Sequence, residues 1–425
     1  MPVPFDQALG RTQDLLQNEQ IHTLFEAAFT SKGLAARADI LSREGDGWWL
    51  IEVKASVKDK PDLTDDLAYT HMVASRAGLR ITRVSLLLLS GDYRAGYPFE
   101  ALFAEVDKTS EVQDRAEEFS AVAPGLVRKL SARIAPPAEF ILPCRDCPCF
   151  PGDCFGKNMK HPVFELPRLQ ATRFAELADA GIRQIHQITR PAALTGPQQV
   201  VWQAVTQRTR IVDHTALQDL RQVRWPAHYL DFETVMTAMP LFADIAPYEQ
   251  VPIQYSLHRY SAPGVELDHR EYLADHQLDC RREFAERLLR DLGRAGSIIV
   301  YSSFEKTILN GLAARFPDLA ARIDACIARL YDLADVLRRS LYDPGFHGSY
   351  SIKKTLPVLV PQMGYADLEI QDGASAAACY ALMARGQYTA REIAAHRRAL
   401  LAYCKQDTLA MACLHQALAN ELAQE

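Results

Sequence analysis

Apolar and polar positions over the first 135 residues switch repeatedly between helical and strand-like spacing. Arg37 to Leu41 reads as a strand, Glu44-Gly45-Asp46-Gly47 as a turn, and Trp48 to Lys54 as the returning strand of a hairpin. The apolar run from Val84 to Leu89 predicts a buried strand. Ala135-Pro136-Pro137 and a Pro- and Gly-rich stretch to Pro167 then interrupt the pattern, as a domain boundary does. Leu169, Phe174, Leu177 and Ile182 resume at helical spacing, with a turn at Ala180-Gly181, and the helical character continues to Gln222. His228 opens a second α/β series. It runs through a β-rich stretch to Thr234, the strand-like PIQYSLHRY and DHREYL, and a helix over Leu278 to Leu292. A buried strand from Ser297 then delivers Glu305 to a helix start, and a last long helix holds Tyr403 to Asp407. The divisions expected are 1–135, 136–166, 167–225 and 226–425, with no internal repeat.

At 425 residues the chain exceeds one ordinary domain. Its apolar fraction of 48% and charged fraction of 24% belong to chains that bury cores, which excludes a disordered or collagen-like polymer. No run approaches the roughly 18 apolar residues of a membrane span. The first residues also lack the basic-then-apolar pattern of a secretory leader, so a cytoplasmic location without a membrane partner is expected. Nine cysteines, an odd number, do not make a secreted disulfide framework. The net charge of −6 argues against a surface coated in phosphate-binding charge, but not against a local basic channel. From Lys157 to His228 ten Lys/Arg face five acids, about +5, which leaves about −11 elsewhere. A solvated helical face and a basic channel both fit this. Within it, residues 177–188 (LADAGIRQIHQI) read either as an ordinary helix pair or as a helix-hairpin-helix whose Gly turn offers N–H groups to a phosphate.

Asp231 and Glu233 stand two apart on a strand and therefore share a face. Adjacent carboxylates repel, and a strand end presenting both calls for a cation. Tyr403 and Asp407, four apart, share one helix face. The order Asp-x-Glu, then a strand ending in Phe304-Glu305, then Tyr403-Cys-Lys-Gln-Asp407 closely resembles the DnaQ-like, DEDD-type 3′–5′ exonucleases of RNase-H-like fold. The nearest variant is the tyrosine form, also seen in the proofreading domains of family B DNA polymerases. The resemblance covers about residues 226–425. It implies that Asp231, Glu233 and Asp407 bind two divalent ions, Mg2+ or Mn2+, which activate water and stabilise the leaving oxygen in phosphodiester cleavage. Tyr403 would orient that water. Where those families end the second motif in Asp, this chain has Glu305, and the extra methylene moves the carboxylate by about 1 Å. Direct ligation, action through water and reduced activity are all open for Glu305. Asp332 and Asp335 are candidate substitutes unless they line a solvated helix face. Residues 348–357 (GSYSIKKTLP) resemble a stretch of the same families, where Lys353 or Lys354 meets substrate phosphate or is merely solvated.

The N-terminal hairpin presents Asp39, Glu52 and Lys54, the last two on one face. This resembles the PD-(D/E)XK core of RecB-like nucleases, a restriction-endonuclease-like fold. Asp39 and Glu52 would hold Mg2+, and Lys54 would polarise water or steady the phosphate. A plain Glu52–Lys54 ion pair is the competing explanation. Such nucleases often place a Gln and a Tyr on the next helix, where DDLAYTHMV offers Tyr69, Thr70 and His71. Cys144, Cys147, Cys149 and Cys154 follow this core. CRISPR-associated RecB-like nucleases are similar, with three cysteines after the core and one before it clasping a [4Fe–4S] cluster. Here no cysteine precedes Asp39; either Cys149 supplies the fourth thiolate or relatives carry an N-terminal piece that this chain lacks. Four thiolates so spaced also suit Zn2+.

The whole order resembles an uncharacterised-domain family of bacterial nucleases. Two functions compete. One is a metal-dependent nuclease acting on DNA, or on RNA, with its principal site in the C-terminal domain. The other is a nucleic-acid-binding scaffold built from degenerate nuclease domains.

Overall fold

A computed structural model describes residues 3–262, 265 and 267–424 and divides into two compact units. The first comprises Met1–Pro137 and Met236–Glu249. It opens with α1 (Phe5–Leu16), β1 (Thr23–Ser31), β2 (Leu34–Glu44) and β3 (Gly47–Val53). It continues through α2 (Pro61–Arg76), β4 (Ile81–Leu89), β5 (Phe103–Asp107) and α3 (Thr109–Leu130). The five strands pair in sequence order, antiparallel except for β3 and β4, which are parallel. A parallel pair needs a crossover, and α2 supplies it. Pro61 opens that helix, where its missing N–H costs nothing. Leu67, Met72 and Val73 then bury one face of α2 in a core with Leu41, Leu50, Val84 and Leu86. The predicted hairpin is β2–β3, and the Val84–Leu89 run is the inner β4. Segment 236–249 joins this unit through Ala95 N–H to Ile245 O (3.0 Å) and the Tyr248 hydroxyl to Ala55 O (2.6 Å). A division drawn along the chain at residue 226 does not anticipate that segment.

The second unit comprises Ala138–Val235 and Gln250–Glu425. It begins with α4 (Phe150–Asp153), α5 (Ala171–Asp179), α6 (Gly196–Gln207), β6 (Ile211–Val212) and α7 (His214–Leu217). Then come β7 (Ala227–Val235), β8 (Val251–Tyr260), β9 (Asp268–Leu273), α8 (Arg281–Leu292), β10 (Ile298–Val300), α9 (Phe304–Arg315) and α10 (Pro317–Ile327). β11 (Leu330–Asp332), α11 (Leu333–Ser340), β12 (Leu341–Tyr342), α12 (Ile352–Leu359), α13 (Gly373–Ala384) and α14 (Ala390–Leu422) complete it. The main sheet has the order β11-β10-β7-β8-β9. β10 is parallel to both its neighbours, whereas β8 is antiparallel to β7 and to β9. α14 packs across β7 and β8. Its buried stripe, Leu400, Tyr403, Cys404, Asp407, Met411, Leu414 and Leu418, keeps helical spacing throughout.

Residues 168–222 are less helical than their spacing predicts. After α5 and the left-handed Gly181 (φ 73°), residues Ile185–Gln187 form a single 3-10 turn, so neither a helix-hairpin-helix nor a helix pair is present. The backbone is drawn elsewhere: Val163 N–H donates to Arg183 O (2.9 Å) and Ile185 N–H to His161 O (2.9 Å). Among the described residues no helix is long and apolar enough to cross a membrane.

Candidate metal centre

Asp231 and Glu233 project from the C-terminal half of β7, beyond the point where His228 and Tyr229 pair with β10. There the β7–β8 ladder shifts register between Glu233 and Thr234, opposite Pro252, which has no N–H to give. α14 brings Asp407 to the same place. One carboxylate oxygen from each of Asp231, Glu233 and Asp407 lies within 4.8 Å of the other two.

The rotation of α14 is set by buried polar contacts with β8 that the sequence reading missed. Gln254 Nε2 donates to Leu400 O (2.9 Å), and Thr408 Oγ1 meets both Ser256 Oγ (2.7 Å) and His258 Nδ1 (2.7 Å). Such bonds are strong where water is excluded, and they admit one rotation and one register. Burial lowers the His258 pKa to about 3, so the ring is neutral. No local pattern marks these residues, because each gains meaning only from its partner about 150 positions away.

Burial and mutual repulsion raise the proton affinity of the trio. Asp231 is pushed well above the usual carboxylate range, first by burial and then by Asp407, Glu233 and Glu305. Glu233 rises to about 8, by burial and then Asp407, with Lys353 offsetting part of this. Asp407 rises to about 6 by burial, eased by a hydrogen bond from the Tyr365 hydroxyl (2.6 Å) and by Lys353. Lys353, on α12, lies over the rings of both Tyr365 and Tyr403 (5.5 and 5.3 Å to the centroids) and donates to the Tyr403 hydroxyl (3.4 Å). Tyr365 went unnoticed in the sequence, and Cys404 appeared there only as a motif letter. The Cys404 thiol lies 3.5 Å from Asp231 Oδ2. Lys354 is exposed.

Glu305 is buried in the first turn of α9 and accepts from Ser302 Oγ (3.3 Å). It stands outside the trio's grouping yet raises the proton affinity of Asp231 and Glu233. Its own pKa rises to about 7, chiefly by burial. Neither proposed substitute joins the trio. Asp332 caps α11 by accepting the Asp335 N–H (3.0 Å), and Asp335 pairs with Arg338 and Arg339.

In the first unit, Asp39 on β2 accepts the Val53 N–H (2.7 Å), which spends one carboxylate oxygen on the end of β3. Glu52 is buried, and its Oε2 has no hydrogen-bond partner among the described residues. An unpartnered carboxylate oxygen near a second carboxylate is a donor set that suits a divalent cation. Burial raises the Glu52 pKa to about 7, with Lys54 opposing and Asp39 adding to the rise. Lys54 bonds Glu52 Oε1 (2.9 Å) and also pairs with Asp66 of α2. The ion pair weighed from the sequence is therefore present, and Asp66 is a partner the sequence reading missed. Removing Lys54 strands a buried carboxylate. Lys54→Met should thus cost about 1–3 kcal/mol at pH 8 and distinctly less at pH 5, where Glu52 is protonated with or without its partner. Thermal melts at the two pH values read this difference.

Cys144, Cys147 and Cys154 are partly buried and Cys149 is exposed, around α4 and the 3-10 turn before it. Phe140 packs against the rings of Phe150, Phe155, Phe164 and Phe174 beneath them. No three of these thiols come within 4.8 Å of one another. Zn–S bonds of about 2.3 Å at tetrahedral angles bring sulfurs to roughly 3.8 Å of one another.

No curated protein and no solved structure matches the chain. One protein-family model does, described as "Domain of unknown function (DUF2779)", over residues 228–351. The matched stretch contains Asp231, Glu233 and Glu305 and stops short of Lys353, Tyr403 and Asp407. It agrees with the resemblance to an uncharacterised-domain family read from the sequence, and the match covers under a third of the chain.

Proposed function

We propose that the protein is a metal-dependent nuclease whose principal site is the Asp231–Glu233–Asp407 group, acting as a 3′–5′ exonuclease. The observation that carries this reading is the convergence of three carboxylates, two buried and one partly buried, whose repulsion is only partly offset by protein cations. Two further features support it. The main sheet of the second unit has a parallel side and an antiparallel side about β7, which is compatible with the RNase-H-like fold that the motifs resemble. The carboxylates also gather where β7 and β10 end and α9 begins.

Asp231, Glu233 and Asp407 would hold Mg2+ or Mn2+, which supplies activation of water and stabilisation of the leaving oxygen. The remaining work falls to the chain itself. Tyr365 fixes the orientation of the Asp407 carboxylate through its 2.6 Å hydrogen bond. The Tyr403 hydroxyl, which accepts from Lys353, would orient a water. Lys353 would meet a phosphate oxygen, and Glu305 would accept a proton or act through a water. Digestion of labelled single-stranded DNA and RNA, each with the 5′ or the 3′ end blocked, tests the assignment. Mn2+-dependent loss from free 3′ ends is expected. No cleavage with either metal would leave the scaffold reading, which Glu305's position outside the trio favours.

Asp39, Glu52 and Lys54 form a second, separable site in this proposal, supported by the unpartnered Glu52 oxygen. Circular single-stranded DNA has no ends, so any nicking that survives Asp231→Ala reports this site, and Lys54→Met should abolish it. For the cysteine segment we take the iron–sulfur cluster over zinc, because a cluster spreads its thiolates around several irons. A brown anaerobic preparation absorbing near roughly 400 nm is expected; a colourless protein with stoichiometric zinc would reverse the choice.

A further inference from the structure

Two histidines of the second unit, His161 and His347, hold left-handed backbone conformations, φ 54° and 49°. Residues with a Cβ adopt this region at a cost and keep it where the surroundings impose it. Both rings turn to one carboxylate. Glu165, with a side chain only 8% exposed, accepts from His161 Nδ1 through Oε2 (2.8 Å) and from His347 Nδ1 through Oε1 (3.0 Å). The rings stack with centroids 5.1 Å apart and planes 15° apart. One donor atom from each of the three residues lies within 4.8 Å of the other two. The approach depends on Gly348, at φ 75°, where a Cβ would stand 2.7 Å from Glu165 Cα and O. Any other residue there would push the 347 loop away from Glu165.

We propose that His161, Glu165 and His347 bind one divalent transition ion of the zinc class, at a site separate from both acidic sites. Two imidazoles and a carboxylate suit zinc and its neighbours, whereas Mg2+ and Ca2+ take oxygen ligands. Ligand bonds of about 2.0–2.2 Å at tetrahedral angles place nitrogen and oxygen about 3.3 Å apart. The present separations of 2.8 and 3.0 Å need to open by only a few tenths of an ångström. On ligation each neutral ring carries its proton on Nε2, and Nδ1 changes from a donor to Glu165 into a ligand. A hydrogen-bonded clamp needs one histidine; two, both strained and stacked on the same carboxylate, fit an ion better. His347, with a side chain 56% exposed, leaves a fourth position open to water. The ion would tie the segment after the cysteines to the loop that enters α12, five residues before Ile352 and six before Lys353. It is a staple that fixes the start of the helix carrying Lys353.

The test is zinc stoichiometry by equilibrium dialysis of the full chain in excess Mg2+, comparing wild type with His347→Ala and Glu165→Gln. The four thiols are left in place, because the reading is a difference between proteins. His347→Ala should bind one equivalent fewer, or bind that equivalent at least about 100-fold more weakly. It should also lose the zinc-induced rise in melting temperature, and Glu165→Gln should fall between the two. With Co2+ in place of zinc, visible bands of a nitrogen- and oxygen-ligated ion should be present in wild type and absent from His347→Ala. Because His347 is exposed, its replacement leaves the core intact, so a folded variant is available even if His161→Ala does not fold. Equal zinc stoichiometry and affinity in wild type and His347→Ala would overturn the site and leave a hydrogen-bonded clamp. Neither result depends on cleavage of nucleic acid.

Discussion

In the Asp231→Asn protein, Mn2+-dependent release of nucleotides should fall by about 10³-fold or more, on the scale of losing a preorganised charge-stabilising group. The same protein, free of metal, should melt at a higher temperature than wild type. The two signs follow from one cause. Without a cation, the Asp231 carboxyl either bears the repulsion of Asp407, Glu233 and Glu305 or takes up a proton at a cost, and its neutral isostere removes that cost. With a cation, the same charge is what holds the ion. A residue kept only for packing or capping does not lose activity and gain stability together. Cleavage assays and melts on one preparation decide the matter, and unchanged cleavage in Asp231→Asn would remove this site from the proposed function.

Metal-free wild type should lose stability as pH rises from about 4.5 to about 8, and added Mn2+ should restore it most at the alkaline end. Glu233 has a folded pKa raised to about 8, and Asp407 one raised to about 6. A group whose folded pKa lies above its unfolded value stabilises fully below the unfolded value. That contribution is lost as pH passes the folded value. Both carboxylates therefore favour the acidic side, by a total on the order of a few kcal/mol. Mn2+ competes with those protons and binds when they leave, so the melting temperature gained on adding Mn2+ should grow between pH 5.5 and pH 8. A gain that is flat across this range, or larger at pH 5.5, would separate metal binding from these carboxylates.

The chain carried several parts of this arrangement in local form. Asp231 and Glu233 share a face because strand side chains alternate, and Tyr403 and Asp407 share one because helix turns repeat. The hairpin bearing Asp39 and Glu52 was legible from its turn and flanking apolar runs, and β8 and β9 from their strand-like patterns. Residues 182–188 were not. Their helical spacing was overridden once Val163 and Ile185 offered the backbone other partners. The segment 236–249 gave no sign of joining the first unit, since its ties to Ala55 and Ala95 are made some 150 or more residues away.

Periodicity reports which side of an element is buried, and by itself the sequence determined many of the strands and helices of both units and the acidic residues on them. Which residues from distant elements meet depends on packing between buried faces and on polar pairs satisfied only in the folded chain. Tertiary structure alone therefore decided that Asp407 reaches Asp231 while Glu305 stands apart, and that Asp66 holds Lys54. It alone brought His161 and His347, 186 positions apart, onto Glu165, because the contact rests on a backbone approach at Gly348 that has no local signature.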